Sequence, residues 1–187
     1  MTMVITLTID DPEAMALLGA TIAAKLTAGD VVLLTGELGA GKTTLTRGLG
    51  EALGVRGTVT SPTFVLARTH PRSDAPPLVH VDAYRLSGAD ELDDLDLDFD
   101  KSIVVVEWGA GLIEHLVDEW LAVTIERPTG ATAHAVPKRA GQAPTTVDAA
   151  PVDDTDAEDI AVEPRTVMIE GIGSRWSDLG WLHAAGD

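Results

Sequence analysis

Gly36, Gly41, Lys42 and Thr43 stand in the order GxxxxGK[ST] within TGELGAGKTTLTRGLG, residues 35–50, directly after the apolar run VVLL. This is the Walker A pattern, and its chemistry is phosphate binding. Glycines let consecutive N–H groups turn inward around an oxyanion, and the positive end of the following helix points at the same place. Lys42 adds a mobile charge for the β and γ phosphates, and Thr43 offers a hydroxyl oxygen to Mg2+. The dinucleotide pattern GxGxxG is not met, because Thr44 stands where its last glycine belongs. A phosphate loop also needs an acid at a strand end for Mg2+. Glu107 ends IVVVE and Asp82 sits within LVHVDAY. A solvated strand-end acid is the plain alternative for each, but two such acids beside a Walker A loop favour the magnesium role. Other metals fit less well. The five His lack HExxH spacing, and the acidic run ADELDDLDLDFDK, residues 89–101, lacks the glycine and closing glutamate of a calcium loop.

These groups need elements to hold them. Residues 3–9, MVITLTI, alternate as a half-buried strand does, and Asp10-Asp11-Pro12 offers a cap and first turn for a helix over 12–27. VVLLT, 31–35, reads as a strand covered on both faces, and TTLTRGLGEALG as the helix after the loop. Further strands are expected at 62–69 (PTFVLART), 78–84 (LVHVDAY), 102–108 (SIVVVEW), 120–126 (WLAVTIE) and 165–173 (RTVMIEGIG). The run 89–101 reads as an acidic amphipathic helix and turn, 110–118 as a short helix, and RWSDLGWL as a terminal helix or turn. Residues 128–164 are rich in Ala, Pro, Thr and Asp without helical or strand period, so a disordered acidic insertion between two neighbouring strands is expected there. The fold class expected is α/β: a P-loop NTPase-like, partly parallel central sheet flanked by helices, formed as one domain by residues 1–127 and 165–187.

Composition sets the outer limits. No apolar stretch of the 187 residues approaches the roughly 20 needed to cross a bilayer, and the N-terminal residues lack the order of a signal peptide. With no cysteine there is no disulfide framework, so a cytoplasmic protein without membrane contact is expected. The 13 basic and 30 acidic residues leave a net charge of −17, a field that repels a polyphosphate backbone. Any RNA in this protein's biology should therefore be held by a partner.

Taken in succession, GELGAGKTT from Gly36, TSPTF from Thr60, HVDAYRL from His80 and VVEW from Val105 resemble the bacterial TsaE (YjeE) family in order and spacing. The resemblance covers about residues 5–127 with the last strand and Arg175-Trp176, and omits 128–164. It implies a small ATPase, with ATP and Mg2+ as cofactors, acting in tRNA threonylcarbamoyladenosine (t6A) synthesis. It also implies protein partners TsaB and TsaD, ATP hydrolysis that resets that pair, and tRNA contact only through them. By the same resemblance Leu38, Gly39, Ala40, Gly41, Lys42, Thr43 and Thr44 cradle the nucleotide, and Thr43 with Glu107 holds Mg2+. Asp82 is implied as base or orienter of the attacking water, catalytic beside Lys42 and Glu107. Thr60, Ser61, Pro62 and Thr63 resemble a switch loop. Trp108 lies by the nucleotide or a partner, or else is a core aromatic; Tyr84 and Arg85 serve partner contact or switch packing. Met15 stands where many members carry Thr, which puts a polar contact to the base there in doubt. Two rival functions stay open: a small-molecule kinase, which would need an arginine-bearing lid where 128–164 has only Lys138 and Arg139 close together, and a nucleotide-dependent switch whose hydrolysis is dispensable.

Overall fold

A computed structural model describes residues 3–62, 64–95, 97–127 and 163–185. Seven strands form one sheet: β1 (Met3–Ile9), β2 (Val31–Gly36), β3 (Ala67–His70), β4 (Leu78–Asp82), β5 (Ile103–Glu107), β6 (Trp120–Glu126) and β7 (Arg165–Ile172), in the order β1-β7-β6-β2-β5-β4-β3. The central four, β6-β2-β5-β4, are parallel, and β1, β7 and β3 add antiparallel edges. β6 and β7 are paired neighbours, so residues 128–162, which lie outside the described residues together with the insertion expected there, join two adjacent strands. This is the partly parallel α/β sheet expected from the apolar runs at Val31–Leu34 and Ile103–Val106, which are buried on both faces.

Two helices cover one face. α1 (Pro12–Ala23) starts where the Asp11 carboxylate accepts the Ala14 N–H at 2.7 Å, with Pro12 at the first turn where its missing N–H costs nothing. α2 (Lys42–Leu53) follows the glycine loop. Together they bury Leu18, Ile22, Leu45 and Leu49 against Leu34, Leu78, Val105 and Leu121 of the sheet. The other face, with Val31, Leu33, Val79, Val81, Val104 and Val106, is closed by Leu92 and Ile113. The C-terminal segment is stapled back by Arg175, whose guanidinium donates to both oxygens of the buried Asp30 carboxylate at 3.1 and 3.0 Å.

Several elements are shorter than the sequence suggests, each for a local reason. The strand expected at 62–69 exists only as β3, because the Pro62 carbonyl accepts from both Val65 N–H and Leu66 N–H at 2.8 and 2.9 Å and closes a turn. The strand over 78–84 stops at Asp82, whose carboxylate accepts the Tyr84 N–H at 3.1 Å and starts a 3-10 turn, Ala83–Arg85. The helix over 12–27 ends at Ala23, and Thr27 N–H is taken by the Asp30 carboxylate. Of 89–101 only α3 (Ala89–Asp93) is α-helical, and Asp98 caps a separate 3-10 turn at Phe99–Lys101. The segment 110–118 holds a single 3-10 turn, Ile113–His115, and the C-terminal residues form two, Ser174–Trp176 and Gly180–Ala185.

α1 and α2 touch through glycine. A Cβ on Gly48 would overlap the Ala16 carbonyl, and one on Gly19 the Leu45 carbonyl. Alanine is the better helix former by about 1 kcal/mol, but forcing a methyl into a packed contact costs about 1–3 kcal/mol. Gly48→Ala should therefore lower the melting temperature. An unchanged or raised midpoint would mean that the helices part without cost.

Candidate nucleotide and metal site

The loop's shape follows from its glycines. Gly36 adopts φ 155° where a Cβ would sit 2.5 Å from the Ile125 carbonyl oxygen, and Gly41 adopts φ 119° with Met15 Cε 3.3 Å from where its Cβ would be. Gly41 caps α2 without a side chain, so the helix presents its first-turn N–H groups to whatever occupies the loop.

Sheet register brings the acids underneath. β4 and β5 are parallel with Asp82 opposite Glu107, and period-two alternation places His80, Asp82 and Glu107 on the helix-covered face. Glu107 is 4% exposed; its Oε1 lies 2.8 Å from His80 Nε2 and 3.5 Å from the Thr43 hydroxyl. Lys42 is buried as well. Its ammonium donates to the carbonyls of Gly36 at 2.8 Å and Glu37 at 3.0 Å and lies 4.2 Å from the centre of the Trp108 ring. Burial pulls the Lys42 pKa down, and the nearby charges of Glu107 and Asp82 pull it partly back. Trp108 itself holds φ 62°, a left-handed conformation rare for a bulky residue, and its N–H donates to the Leu34 carbonyl at 3.1 Å. Tyr84 meets its ring edge-on at 5.5 Å.

These groups line one cavity of about 470 Å³. Leu38, Gly39, Gly41, Lys42, Thr43 and Thr44 form its loop wall, and Ser61, Asp82, Tyr84, Glu107 and Trp108 the opposite one. Trp108 is thus at the cavity and only partly buried. Ala40 faces a second, smaller cavity of about 110 Å³ on the far side of the loop, beside Met15, Asp11 and Arg165. Thr60 stands apart from both, its hydroxyl accepting from the Arg68 guanidinium at 3.0 Å, and Pro62 is buried in the turn it closes. Thr63 lies outside the described residues. Two neighbours carry no role in the sequence reading. His80 lies in the quoted HVDAYRL stretch two residues before Asp82, so alternation alone places it on the same face. The Arg127 guanidinium is 3.9 Å from where a Gly39 Cβ would lie.

The hard oxygens of Thr43 and Glu107, side by side, suit Mg2+, which takes one or two protein ligands and completes its shell with phosphate and water. Thiolate or imidazole metals would need more nitrogen or sulfur donors than this face supplies.

A strand, glycine loop and helix, with acids at the ends of neighbouring parallel strands, define a P-loop protein of the α/β class. The family model described as threonylcarbamoyl adenosine biosynthesis protein TsaE matches residues 9–135, and the chain belongs to that family. A Streptomyces coelicolor protein named tRNA threonylcarbamoyladenosine biosynthesis protein TsaE is 63% identical over 164 residues, covering 86% of this chain and 92% of that protein. A Bacillus subtilis protein of the same name is 39% identical over 120 residues, 63% of this chain and 74% of that protein. The crystal structure of Bacillus subtilis YdiB superposes with a TM-score of 0.64 at 26% identity, covering 99% of this chain and 95% of that one.

Two outcomes follow from this geometry. A phosphate that takes up the Lys42 ammonium would change its contact with the Trp108 ring, so ATP should change tryptophan fluorescence in the native chain and not in Trp108→Phe; a full signal in the variant would contradict the contact. His70, at the end of β3, is buried with Nε2 unpartnered among the described residues, and burial first, then His80 and Arg68, hold its pKa below 6.5. The unfolded chain then takes up the proton first, so stability present above pH 6.5 is lost as the pH falls below it. The drop in melting temperature between about pH 7.5 and 5.5 should be smaller in His70→Leu than in the native chain. Equal drops would contradict this.

Proposed function

We propose that this chain is an ATP-binding, Mg2+-dependent ATPase in the synthesis of t6A on tRNA, whose hydrolysis resets a TsaB–TsaD complex between turnovers. The observation that carries the reading is the alignment of Asp82 and Glu107 on β4 and β5, facing Lys42 and Thr43 across one cavity. The loop N–H groups from Leu38 to Thr44 bind the phosphates, and Lys42 exchanges its Gly36 and Glu37 carbonyls for β and γ oxygens. Thr43 and Glu107 would hold Mg2+, which supplies charge neutralisation at the phosphates. Asp82 orients the attacking water. Catalysis is then mostly positioning and charge stabilisation, as phosphoryl transfer requires.

Among the described residues that line this cavity Lys42 is the one cation, and we expect slow turnover alone, with partner groups completing the site. Partner contact fits the surface beside it: Phe64 is 88% and Tyr84 70% exposed, unusual for aromatic groups unless something covers them. The net charge of −17 supports leaving tRNA to those partners. Among the described residues no helix is long and apolar enough to cross a membrane. We read the chain as acting in the cytoplasm.

The test is the ATPase rate with and without TsaB and TsaD. The expected result is slow turnover alone and stimulation by the pair, with nucleotide binding lost in Lys42→Ala. In Asp82→Asn binding should persist while the rate falls on the order of 10²–10⁴-fold. High, partner-independent turnover would overturn the reading.

A further inference from the structure

Of the buried histidines on the site's face, His70 and His80, neither of them used by this mechanism, His80 is the one that touches Glu107. It is 0% exposed in the middle of β4, where Val79 and Val81 on either side are apolar and turn to the opposite face. An imidazole there is costly. Its Nδ1 has no hydrogen-bond partner among the described residues, and a buried unpaired acceptor costs about 1–3 kcal/mol. A leucine of similar volume would fill the position without that loss, so packing gives no reason for a histidine. What the histidine has that a leucine lacks is one contact: Nε2 lies 2.8 Å from Glu107 Oε1.

The chemistry of that contact sets the proton. A carboxylate oxygen accepts, so Nε2 carries the hydrogen and donates to it. The Thr43 hydroxyl also addresses Oε1, from 3.5 Å. No hydrogen bond from the described residues ends on Oε2. One carboxylate oxygen is therefore fixed from inside the sheet while the other is left to meet a ligand.

We propose that His80 is a positioning residue for the cation site: it donates Nε2–H to Glu107 Oε1, fixes the carboxylate and leaves Oε2 for a hard divalent cation beside Thr43. The inference rests on Glu107 being a metal ligand, as read above. Partners that orient a ligating carboxylate from behind typically change metal affinity by 10–100-fold when removed.

The test measures the cation directly, by Mn2+ EPR titration of the full-length protein saturated with ADP, alongside ADP affinity in EDTA. Glutamine places its amide nitrogen near the imidazole Nε2, whereas asparagine is too short to reach Glu107. His80→Asn and His80→Leu should each raise the Mn2+ Kd about 10–100-fold, and His80→Gln should stay within about threefold of the native chain. ADP affinity in EDTA should not change in any of them. The Asn and Gln pair keeps the comparison decisive if the Leu variant fails to fold, since both are polar and similar in bulk. Glu107→Gln serves as the reference. If it weakens Mn2+ binding while His80→Asn does not, the role of His80 is overturned and the metal-site reading stands. If Glu107→Gln leaves the Mn2+ Kd unchanged, the metal-site reading falls and this inference with it. Equal loss of ADP affinity in EDTA would show a merely structural histidine and overturn the proposal too.

Discussion

A buried lysine that shares one cavity with two buried carboxylates is the constraint on which the site depends. Lys42, Asp82 and Glu107 are each nearly withdrawn from water, and both acids act on the lysine strongly enough to offset part of its burial. Charges so placed must be compensated. His80 adds a hydrogen bond to Glu107 at 2.8 Å. In the proposed function a divalent cation would answer the acids, and the loop N–H groups with Lys42 would answer a phosphate.

The sheet exists, in functional terms, to keep that arrangement in register. Parallel pairing of β2 with β5, and of β5 with β4, aligns the end of the glycine loop's strand with Glu107 and then Asp82. A slip of one residue would turn either acid to the opposite face. α2 holds Lys42 and Thr43 over those strand ends, and its glycine contact with α1 sets how closely the pair can sit. The Arg175–Asp30 pair secures the C-terminal segment to the loop that leads into β2, far from the chemistry but on the same strand.

Much of this was open to sequence reasoning, because it follows from period and from glycine. The apolar run at 102–108 located β5 with Glu107 at the end of IVVVE, and Asp82 fell within the strand expected at 78–84; Gly36 and Gly41 mark positions where only glycine fits. What stayed hidden depended on tertiary partners. The turn that replaces the start of the strand expected at 62–69 comes from a single carbonyl, that of Pro62, taking two N–H groups. The helix expected at 110–118 reduces to one 3-10 turn that seats Ile113 in the second core. The contact of the Trp108 ring with the Lys42 ammonium is a tertiary one that the sequence does not show. His80 looked like part of a strand, and only the 2.8 Å contact with Glu107 ties it to the acids. Met15 packs against Gly41 and shapes the smaller cavity by its bulk, as its apolar type suggests.

The proposed role of this cavity is to serve t6A synthesis by turning over nucleotide. The most direct measurement is nucleoside mass spectrometry of bulk tRNA from cells depleted of this protein and supplied with either the native chain or Asp82→Ala. The account predicts loss of t6A on depletion, recovery with the native chain and none with the variant. Unchanged t6A on depletion would contradict the role in tRNA modification, and full recovery with Asp82→Ala would contradict the requirement for hydrolysis.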